Sequence, residues 1–225
     1  MVTNVNMVDI IELELGTRHV PFNEALDLQR SIHFDVVNGL RDSAIVLVEH
    51  EPIYTIGVRS REHELPPPHM PQTRVDRGGK VTWHGPGQLV AYPIVALPKP
   101  LDVIAFIRAL ELAVVQTCLD FQVAAEQIDG RSGVWIRDSS PGGSTQVTAK
   151  VCAIGARISQ GVSLHGLALN CSNSLDPFAE IVPCGISDAG VTTLSHAARM
   201  DVTPSTAAES LVQNLSARLK ELGVQ

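Results

Sequence analysis

Four glycines, two cations and a histidine lie within the twelve residues from Arg77 to Gln88, and this segment constrains the fold more than any other. So many glycines disfavour both a regular helix and an ordinary strand, because glycine loses more conformational freedom on folding than other residues. They also let the main chain approach a ligand and expose its N–H groups. Arg77 and His84 supply donors, and Trp83 supplies an apolar wall. The pattern predicts a binding loop; the alternative is a tight hairpin whose glycines only satisfy turn geometry.

Cys184 is a candidate nucleophile because it lies in a turn between Pro183 and Gly185. Proline fixes one backbone dihedral and glycine permits close approach, so the thiol is presented to a ligand instead of being packed away. A core cysteine has β-branched or aliphatic neighbours on both sides, as Cys118 does. A thiol that is merely buried is the alternative for Cys184.

Lys150 is the candidate partner of that thiol, because it opens a mostly apolar stretch that is typical of a buried strand. An ammonium beside a thiol favours the thiolate, which is the form that attacks an acyl carbonyl. The alternative is that Lys150 extends to solvent at the end of a strand.

Several segments of the chain occur in the order that a known family shows. They are the piece Glu49–Gly57 and the ranges 77–93, 150–157, 163–170, 178–186 and 191–194. With these segments the chain resembles the lipoyl(octanoyl) transferases, which belong to the wider superfamily of lipoate and biotin protein ligases.

The resemblance implies a role for particular residues. Cys184 matches the cysteine that carries the octanoyl group as a thioester, and Lys150 matches the lysine that lowers the pKa of this cysteine and serves in general acid/base catalysis. The matching acyl-substrate-binding residues are Arg77, Gly78, Gly79, Lys80, Val81, Thr82, Trp83 and His84 in the first segment, Ala153, Ile154 and Gly155 in the second, and Gly166, Leu167 and Ala168 in the third. The polar segment 138–148 departs from the family and leaves the shape of the loop before Lys150 open.

The implied reaction moves an octanoyl group from octanoyl-acyl carrier protein, through Cys184, to the ε-amine of a lysine on a lipoyl domain. The implied acceptors are lipoyl domains of 2-oxoacid dehydrogenase complexes and the glycine cleavage H protein. Because a thioester donor is already activated, we expect no nucleotide, metal or other cofactor.

Two further function classes stay open. An ATP-dependent lipoate or biotin ligase would use a similar glycine-rich loop and a lysine like Lys150, but it would not require Cys184. A non-enzymatic module that binds an acyl carrier would leave the thiol buried and unused.

Hydrophobic periodicity predicts the order of the elements. Strands are expected at Asp9–Leu15, Ala44–Glu49, Leu89–Leu97, Gly133–Arg137, Lys150–Ser159 and Leu164–Cys171, and an irregular loop at Arg59–Thr73 that serves as a lid or a docking site for a partner. Apolar positions mark one helix face through Phe22, Leu26, Gln29, His33, Val36 and Leu40, a second through Val103, Ile107, Leu110, Val114, Cys118 and Phe121, and a third that follows Pro204 through Leu211, Leu215, Leu219 and Leu222. The predicted fold is α+β, with a mixed, largely antiparallel sheet flanked by helices.

Length and charge narrow the function. A chain of 225 residues that is 44% hydrophobic is long enough for one core, so we expect a single catalytic domain over residues 1–225 and a monomer. The formal charge of −7 argues against a nucleic-acid partner. Because carrier proteins and lipoyl domains are typically acidic, docking needs a local basic patch. Its candidates are Arg59, Arg61, Arg74, Arg77 and Lys80, unless these are only solvated loop charges.

The four cysteines, at 118, 152, 171 and 184, lack the close spacing of a disulfide framework or a zinc site. The eight histidines show no metal-ligand spacing, so we expect His84 and His165 to orient substrate or to satisfy loop carbonyls. No apolar run approaches the length of a membrane span. We therefore expect a cytoplasmic enzyme with no membrane association.

Overall fold

The computed structural model describes residues 8–137, 147–181 and 190–224. Its strands are β1 (Asp9–Leu13), β2 (Ala44–Val48), β3 (Ile53–Ile56), β4 (Gln72–Arg74), β5 (Thr82–His84), β6 (Gln88–Ile94), β7 (Ala125–Ile128), β8 (Arg131–Arg137), β9 (Val147–Ser159), β10 (Val162–Asn170) and β11 (Gly190–Val191). Its helices are α1 (Phe22–Val37), α2 (Val103–Asp120), α3 (Leu194–Ala198) and α4 (Pro204–Glu221), with 3₁₀ turns at Glu62–Glu64 and Asp176–Glu180.

The larger sheet has the strand order β1-β2-β6-β10-β9-β8-β7, and β11 pairs with β9. The pairs β1–β2 and β9–β11 are parallel, and the other neighbours are antiparallel. The α+β prediction, with a mixed and largely antiparallel sheet flanked by helices, is confirmed. A smaller sheet of order β4-β3-β5 lies beside the large one.

Helices cover both faces of the large sheet, which explains why its central strands are apolar at nearly every position. In β2, Ile45 and Leu47 belong to the cluster that packs against α2 and α4, whereas Val46 and Val48 belong to the cluster under α1. The same alternation in β10 sends Leu167 and Leu169 to the first cluster and Ala168 to the second. We call these faces the α2/α4 face and the α1 face.

Side-chain caps mark the N-terminal ends of α2 and α4. Asp102 caps α2, because its side chain accepts a hydrogen bond from the Ala105 N–H at 2.8 Å. Thr203 caps α4 in the same way through the Thr206 N–H, and Pro204 occupies the first turn, where no N–H is needed. On α4, Leu211, Leu215 and Leu219 are fully buried at a spacing of four residues, as their periodicity predicts.

The sequence-based element predictions were wrong in detail at several places. Helix α1 ends at Val37, so Leu40 lies beyond it and is 69% exposed. At the start of α2, Val103 is 48% exposed, because the N-terminal turn projects past the sheet. The expected irregular loop 59–73 contains a 3₁₀ turn at Glu62–Glu64 and runs into β4, whose short ladder to β3 no local pattern reveals.

In the part of the chain that the structure describes, no helix combines the length and the apolar character needed to cross a membrane.

Candidate active site

A cavity of about 290 Å³ lies on the α1 face of the large sheet, beneath the segment that contains the glycine-rich loop. The sheet supplies the apolar floor of the cavity, and cationic side chains lie at its edge. Its lining consists of Phe22, Arg59, Arg77, Gly79, Lys80, Thr82, His84, Val90, Tyr92, Gly130, Arg131, Ser132, Lys150, Ala153, Ile154, Gly155, His165, Gly166, Leu167 and Ala168.

Lys150 reaches this cavity because β9 contains a bulge. Val134 of β8 is opposite Cys152, but the next residue, Trp135, is opposite Lys150, so Val151 is an extra residue in β9. Val151 and Cys152 consequently both pack into the α2/α4 face. In a regular strand Lys150 would share the face of Cys152 and enter the core. The bulge re-aims Lys150 to the opposite face, where it lines the cavity with Ala153.

The ammonium of Lys150 is held by neutral groups. Its Nζ donates a hydrogen bond to the carbonyl oxygen of Ser132 at 3.0 Å and lies 4.5 Å from the centre of the Trp135 ring. The residue is only 5% exposed. Within residues 8–137, 147–181 and 190–224, no carboxylate lies at ion-pair distance from this nitrogen. A carbonyl dipole and an aromatic face stabilise a buried cation without neutralising it.

Arg77 holds the glycine-rich loop in shape. Its Nη1 donates to the carbonyl oxygens of Gly78 and Lys80 at 3.0 and 2.8 Å. Its Nη2 donates to the carbonyl oxygen and the hydroxyl of Thr55 on β3 at 2.8 and 2.9 Å. The residue is 8% exposed, so the guanidinium acts as an internal clamp between the loop and the small sheet.

The loop is attached to its surroundings at two further points. The Gly78 N–H donates to the carbonyl oxygen of Ala156 on β9 at 3.0 Å, and the Lys80 ammonium pairs with the buried carboxylate of Glu64. A Cβ at Gly155 would lie 2.8 Å from the Gly78 carbonyl oxygen. The glycines in these two segments therefore permit the close approach of the loop to β9.

A continuous hydrogen-bond chain runs beneath the cavity from Thr55 to Asn170. Gln88 donates to the oxygens of Trp83 and Asn170, so its own Oε1 accepts from the Nδ1–H of His84 at 2.8 Å. The His84 Nε2 is then unprotonated and accepts from the Thr55 hydroxyl at 3.1 Å. Burial lowers the pKa of His84 well below its usual value, and repulsion from His50, when that ring is protonated, and from the Arg77 guanidinium lowers it further.

The chain continues from Asn170 to the backbone of Lys150. The Asn170 amide donates to the carbonyl oxygen of Thr192 at 3.1 Å, and the Thr192 N–H donates to the carbonyl oxygen of Lys150 at 3.0 Å. This contact continues the parallel pairing of β11 with β9. One polar network thus connects His84 in the cavity lining to the start of β9, and each of its buried groups has a partner.

Four aromatic rings cluster beside α1: Phe22, His84 and Tyr92 line the cavity, and His50 packs against all three. The Phe22 ring is stacked on the His84 ring, with 6.3 Å between ring centres, and is tilted against the His50 ring, with 5.4 Å between ring centres. The His50 Nδ1–H donates to the carbonyl oxygen of Val20 at 2.9 Å, so its Nε2 accepts from the Tyr92 hydroxyl at 2.7 Å. Burial lowers the pKa of His50 to about 4 and raises the pKa of Tyr92. Both groups are therefore neutral at pH 7, which lowers the free-energy cost of burying them.

His165 has an unusual backbone conformation, with φ of 59° in the middle of β10. Its N–H donates to the side-chain oxygen of Gln29 on α1 at 3.0 Å, and its ring Nε2 lies 2.8 Å from Asp76 Oδ1. Burial lowers the pKa of His165 to about 4, and the charges of Arg77, Arg157 and Arg30 act in the same direction. The left-handed conformation is strained for a non-glycine residue and lies in the cavity wall, as strained residues at functional sites often do.

The cavity brings together most, but not all, of the sequence-predicted residues. Val81 and Trp83 alternate with Thr82 and His84 in direction, and they pack into a separate small core around Phe178. Gly78 contacts β9 and does not line the cavity. Cys184 lies outside the described residues.

Sequence reasoning missed several lining residues and one residue behind the site. Phe22 and Tyr92 were seen only as helix and strand positions, and nothing in the local pattern of Gly130, Arg131 and Ser132 indicates a cavity edge. Glu111 was missed because it lies in an apolar stretch of α2, although a carboxylate between Leu110 and Leu112 is itself a signal that it has buried partners.

The five residues of the predicted basic patch differ in exposure and in their partners. Arg59 is exposed and lines the cavity, and Arg61 and Arg74 are exposed. Arg77 is buried in its clamp, and Lys80 is paired with Glu64. Arg131 stands at another part of the cavity lining, where its guanidinium lies 5.9 Å from the Trp135 ring centre.

Three of the four cysteines are buried and free of disulfide bonds: Cys118, Cys152 and Cys171. Burial raises the pKa of Cys118 to about 12 and also raises the pKa of Cys152 and Cys171. These thiols pack as small apolar side chains and are poor nucleophiles. Among the described residues, no group of three or more His, Cys, Asp and Glu side chains could hold a metal ion.

Comparison with known proteins identifies relatives of this chain. Residues 21–216 match the family described as the lipoyl protein ligase A/B catalytic domain. The chain is 51% identical over 199 residues to an octanoyltransferase of Clavibacter michiganensis subsp. michiganensis, an alignment that covers 88% of this chain and 85% of the relative. It is 42% identical over 214 residues to an octanoyltransferase of Corynebacterium jeikeium, with 95% and 88% covered.

Solved structures share the fold at lower identity. A bipartite lipoate protein ligase from Thermoplasma acidophilum, studied with its E2 lipoyl domain, aligns with a TM-score of 0.68 at 16% identity and covers 95% of this chain and 84% of that one. A lipoate-protein ligase A bound with ATP aligns with a TM-score of 0.64 at 16% identity, with 95% and 85% covered. These similarities establish the architecture of the catalytic domain.

Proposed function

Since this chain belongs to the lipoyl protein ligase A/B catalytic-domain family, we propose that it carries out octanoyl transfer through a thioester on Cys184. The transfer of octanoyl groups in protein lipoylation follows from its relatives, and the chain is an acyltransferase. The proposal concerns the route: the donor, the nucleophile and the role of Lys150.

One observation carries the proposal: Lys150 places a buried ammonium at a small and largely apolar cavity. No carboxylate of the described residues lies at ion-pair distance from this ammonium. Such a cation favours a nearby thiolate over the neutral thiol. Cys184 precedes β11 by six residues, and β11 pairs with the start of β9 beside Lys150. This connection supports a site in which the two residues act together.

The size and lining of the cavity support a short acyl chain as its ligand. Its volume of about 290 Å³ lies near the lower end of the range for small-molecule sites, roughly 300–1,000 Å³. Val90 and Ala168 form an apolar floor, and the neutral rings of Phe22 and Tyr92 form a wall. Burial of an alkyl chain contributes about 0.8 kcal/mol for each CH₂ group.

In the first half-reaction the Cys184 thiolate attacks the carbonyl carbon of the donor thioester. The new S–C bond forms, the bond to the donor sulfur breaks, and the departing thiolate takes up the proton of the Lys150 ammonium. Because one thioester replaces another, the step is nearly isoenergetic and needs no nucleotide. Until it gives up that proton, the Lys150 ammonium stabilises the attacking thiolate.

In the second half-reaction the ε-amine of the acceptor lysine attacks the acyl-enzyme. An N–C bond forms, the S–C bond breaks, and Cys184 leaves as a thiolate. The neutral Lys150 amine left by the first half-reaction accepts the proton that the attacking amine loses, which restores the ammonium. The expected kinetics are ping-pong.

The donor in this proposal is octanoyl-acyl carrier protein, and the acceptors are lipoyl domains. Relatives named for octanoyl transfer support the acyl group, and the structural neighbour studied with its E2 lipoyl domain supports the acceptor. Arg59 and Arg131, both at the cavity, supply positive charge for an acidic partner although the chain carries a formal charge of −7. The acceptors include the 2-oxoacid dehydrogenase complexes and the glycine cleavage H protein.

We also propose a monomer that acts in the cytoplasm as one catalytic domain over residues 1–225. The three described cysteines are buried and unpaired, as in proteins of reducing compartments. The family match over residues 21–216 spans most of the chain.

Mass spectrometry of the acyl-enzyme tests this route. The protein is mixed with octanoyl-acyl carrier protein without ATP, and we expect one octanoyl adduct on the peptide that contains Cys184. Cys184→Ala should abolish both the adduct and transfer, whereas the matched control Cys118→Ala should retain both. Turnover that requires ATP and leaves no adduct would indicate a ligase instead, and binding without turnover would indicate a carrier-binding module.

A further inference from the structure

Glu111 on α2 is a fully buried carboxylate with three hydrogen-bond donors around it. Its Oε2 accepts from Arg108 at 2.7 Å and from the Gln127 amide at 3.1 Å. Its Oε1 accepts from the Gly133 N–H of β8 at 2.9 Å. A buried carboxylate costs free energy unless it is paired, and two of these bonds extend from the helix into the sheet, to Gln127 of β7 and to Gly133 of β8.

The Gly133 segment is in direct contact with Lys150. Gly133 has a φ of 114°, and a Cβ there would lie 2.6 Å from the Cys152 carbonyl oxygen and 3.3 Å from Lys150 Nζ. The preceding residue, Ser132, supplies the carbonyl oxygen to which Lys150 Nζ donates, and Trp135 supplies the ring that faces the same nitrogen. Both contacts of the ammonium therefore lie within two residues of the amide that Glu111 holds.

We infer that Glu111 is a positioning residue for Lys150. By accepting the Gly133 N–H, the carboxylate fixes the Ser132–Gly133 peptide unit, so that the Ser132 carbonyl points at the ammonium. The bulge in β9 turns Lys150 to the α1 face of the sheet. The bond from Gly133 to Glu111 holds β8, the strand paired with β9, against the bulge.

This inference rests on the proposed role of Lys150 in the reaction. If the carbonyl and the ring move, the ammonium moves with them, and a displacement of about 1 Å in a reacting group can lower a rate by roughly a hundredfold. Substrate binding depends on other parts of the cavity, so the effect should fall on kcat.

Three substitutions separate the bond to Gly133 from the charge of Glu111. Glu111→Gln loses the charge but retains an oxygen that can accept the Gly133 N–H. Glu111→Leu loses both. Glu111→Asp keeps the charge for Arg108 but is one methylene too short for the 2.9 Å bond to Gly133, and it serves if the leucine variant does not fold.

We expect kcat for octanoyl transfer to fall roughly tenfold to a hundredfold in Glu111→Leu and Glu111→Asp, with KM for the lipoyl domain unchanged. Glu111→Gln should keep kcat within about threefold of the parent protein, although it is less stable. Asp120→Ala is the matched control, because Asp120 lies on the same helix and its hydrogen-bond partners among the described residues are Gln116 on α2 and Ser210 and Asn214 on α4. It should lower stability and leave kcat unchanged.

Crystal structures of the variants give a readout that does not depend on activity. The 3.0 Å contact between Lys150 Nζ and Ser132 O should be kept in Glu111→Gln and lost in Glu111→Asp and Glu111→Leu. A retained contact in the latter two, parental kcat in them, or an equal loss of kcat in Glu111→Gln would overturn the inference. If Lys150→Ala proved as active as the parent protein, the proposed function of Lys150 would be wrong, but the structures would still decide whether Glu111 positions it.

Discussion

At the scale of single residues, the site depends on one extra residue and on one glycine. The bulge at Val151 turns Lys150 from the core towards the cavity, and Gly133 leaves room for its ammonium. Both features are local departures from ideal strand geometry, which cost free energy that the surrounding strands must offset. A substitution at either place should therefore affect stability and the placement of Lys150 together.

Gly133→Ala should lower the free energy of unfolding by at least about 3 kcal/mol, because the new Cβ has no room and φ of 114° is strained for alanine. Gly130→Ala is the control: φ is 77° there, but a Cβ would meet nothing within 4 Å, so the expected loss is only about 1 kcal/mol. Urea unfolding of the two variants measures the difference. Equal losses would contradict the crowding at Gly133.

The four cysteines should differ in reactivity in the folded protein. Burial raises the pKa of Cys118, Cys152 and Cys171, so iodoacetamide should leave them unmodified while it alkylates Cys184. Peptide mass spectrometry of native protein, with urea-unfolded protein as the reference for full labelling, gives the order of reaction. Labelling of Cys152 as fast as Cys184 would be incompatible with the proposed nucleophile.

At the scale of elements, the glycine-rich loop is a rigid part of the site. Arg77 bonds two of its carbonyls and Thr55 of β3, and Gly78 bonds β9. The loop therefore joins the small sheet to the large one above the cavity. Glycine permits the close contacts, and the arginine supplies the enthalpy that offsets the entropy of ordering the loop.

Arg77→Lys should destabilise the protein by about 2–4 kcal/mol, since an ammonium cannot reproduce the planar set of four hydrogen bonds. The cavity should lose its shape as well, so that KM for the octanoyl donor rises. Arg74→Lys on β4, where the side chain is exposed, is the control and should change stability by less than about 0.5 kcal/mol. Chemical denaturation compares the two variants, and equal stability would argue against the clamp.

At the scale of the whole molecule, buried neutral histidines connect stability to pH. His50, His84 and His165 join α1, the small sheet and the large sheet around one cavity. Burial lowers the pKa of each of them, so the unfolded chain binds protons that the folded protein does not. The contribution of His50 and His165 to stability is complete above pH 6.5 and is lost as the pH falls towards 4, and His84 acts in the same direction.

The free energy of unfolding should therefore decrease between pH 7 and pH 4.5. For His50, a shift from 6.5 to about 4 corresponds to roughly 3 kcal/mol, which His50→Gln should remove from the pH dependence. The exposed His69 gives the control His69→Gln, which should leave the dependence unchanged. Urea titrations at a series of pH values measure this pH dependence. A free energy of unfolding that does not change with pH in the parent protein would contradict the presence of neutral buried histidines.

Much of the architecture was predictable because periodicity reports which face of a segment is buried. The spacing of Leu211, Leu215 and Leu219 predicts α4, and the continuous apolar run of β2 predicts a strand covered on both faces. The short strands β3, β4 and β5 were not predicted, because segments of three or four residues gain their stability from pairing with distant partners.

The sequence alone determined the type and order of the main elements, the family and the chemical candidates Lys150 and Cys184, since these follow from composition and motifs within single segments. Only the tertiary structure decided that Lys150 faces the cavity, that Arg77 clamps a loop, and that Glu111 stands behind the site. The physical reason is that bulges, buried ion pairs and these hydrogen bonds depend on interactions between segments that are distant in the sequence. The Glu111–Gly133 bond joins residues 22 positions apart, and the His165–Gln29 bond joins residues 136 positions apart, so no local pattern encodes either one.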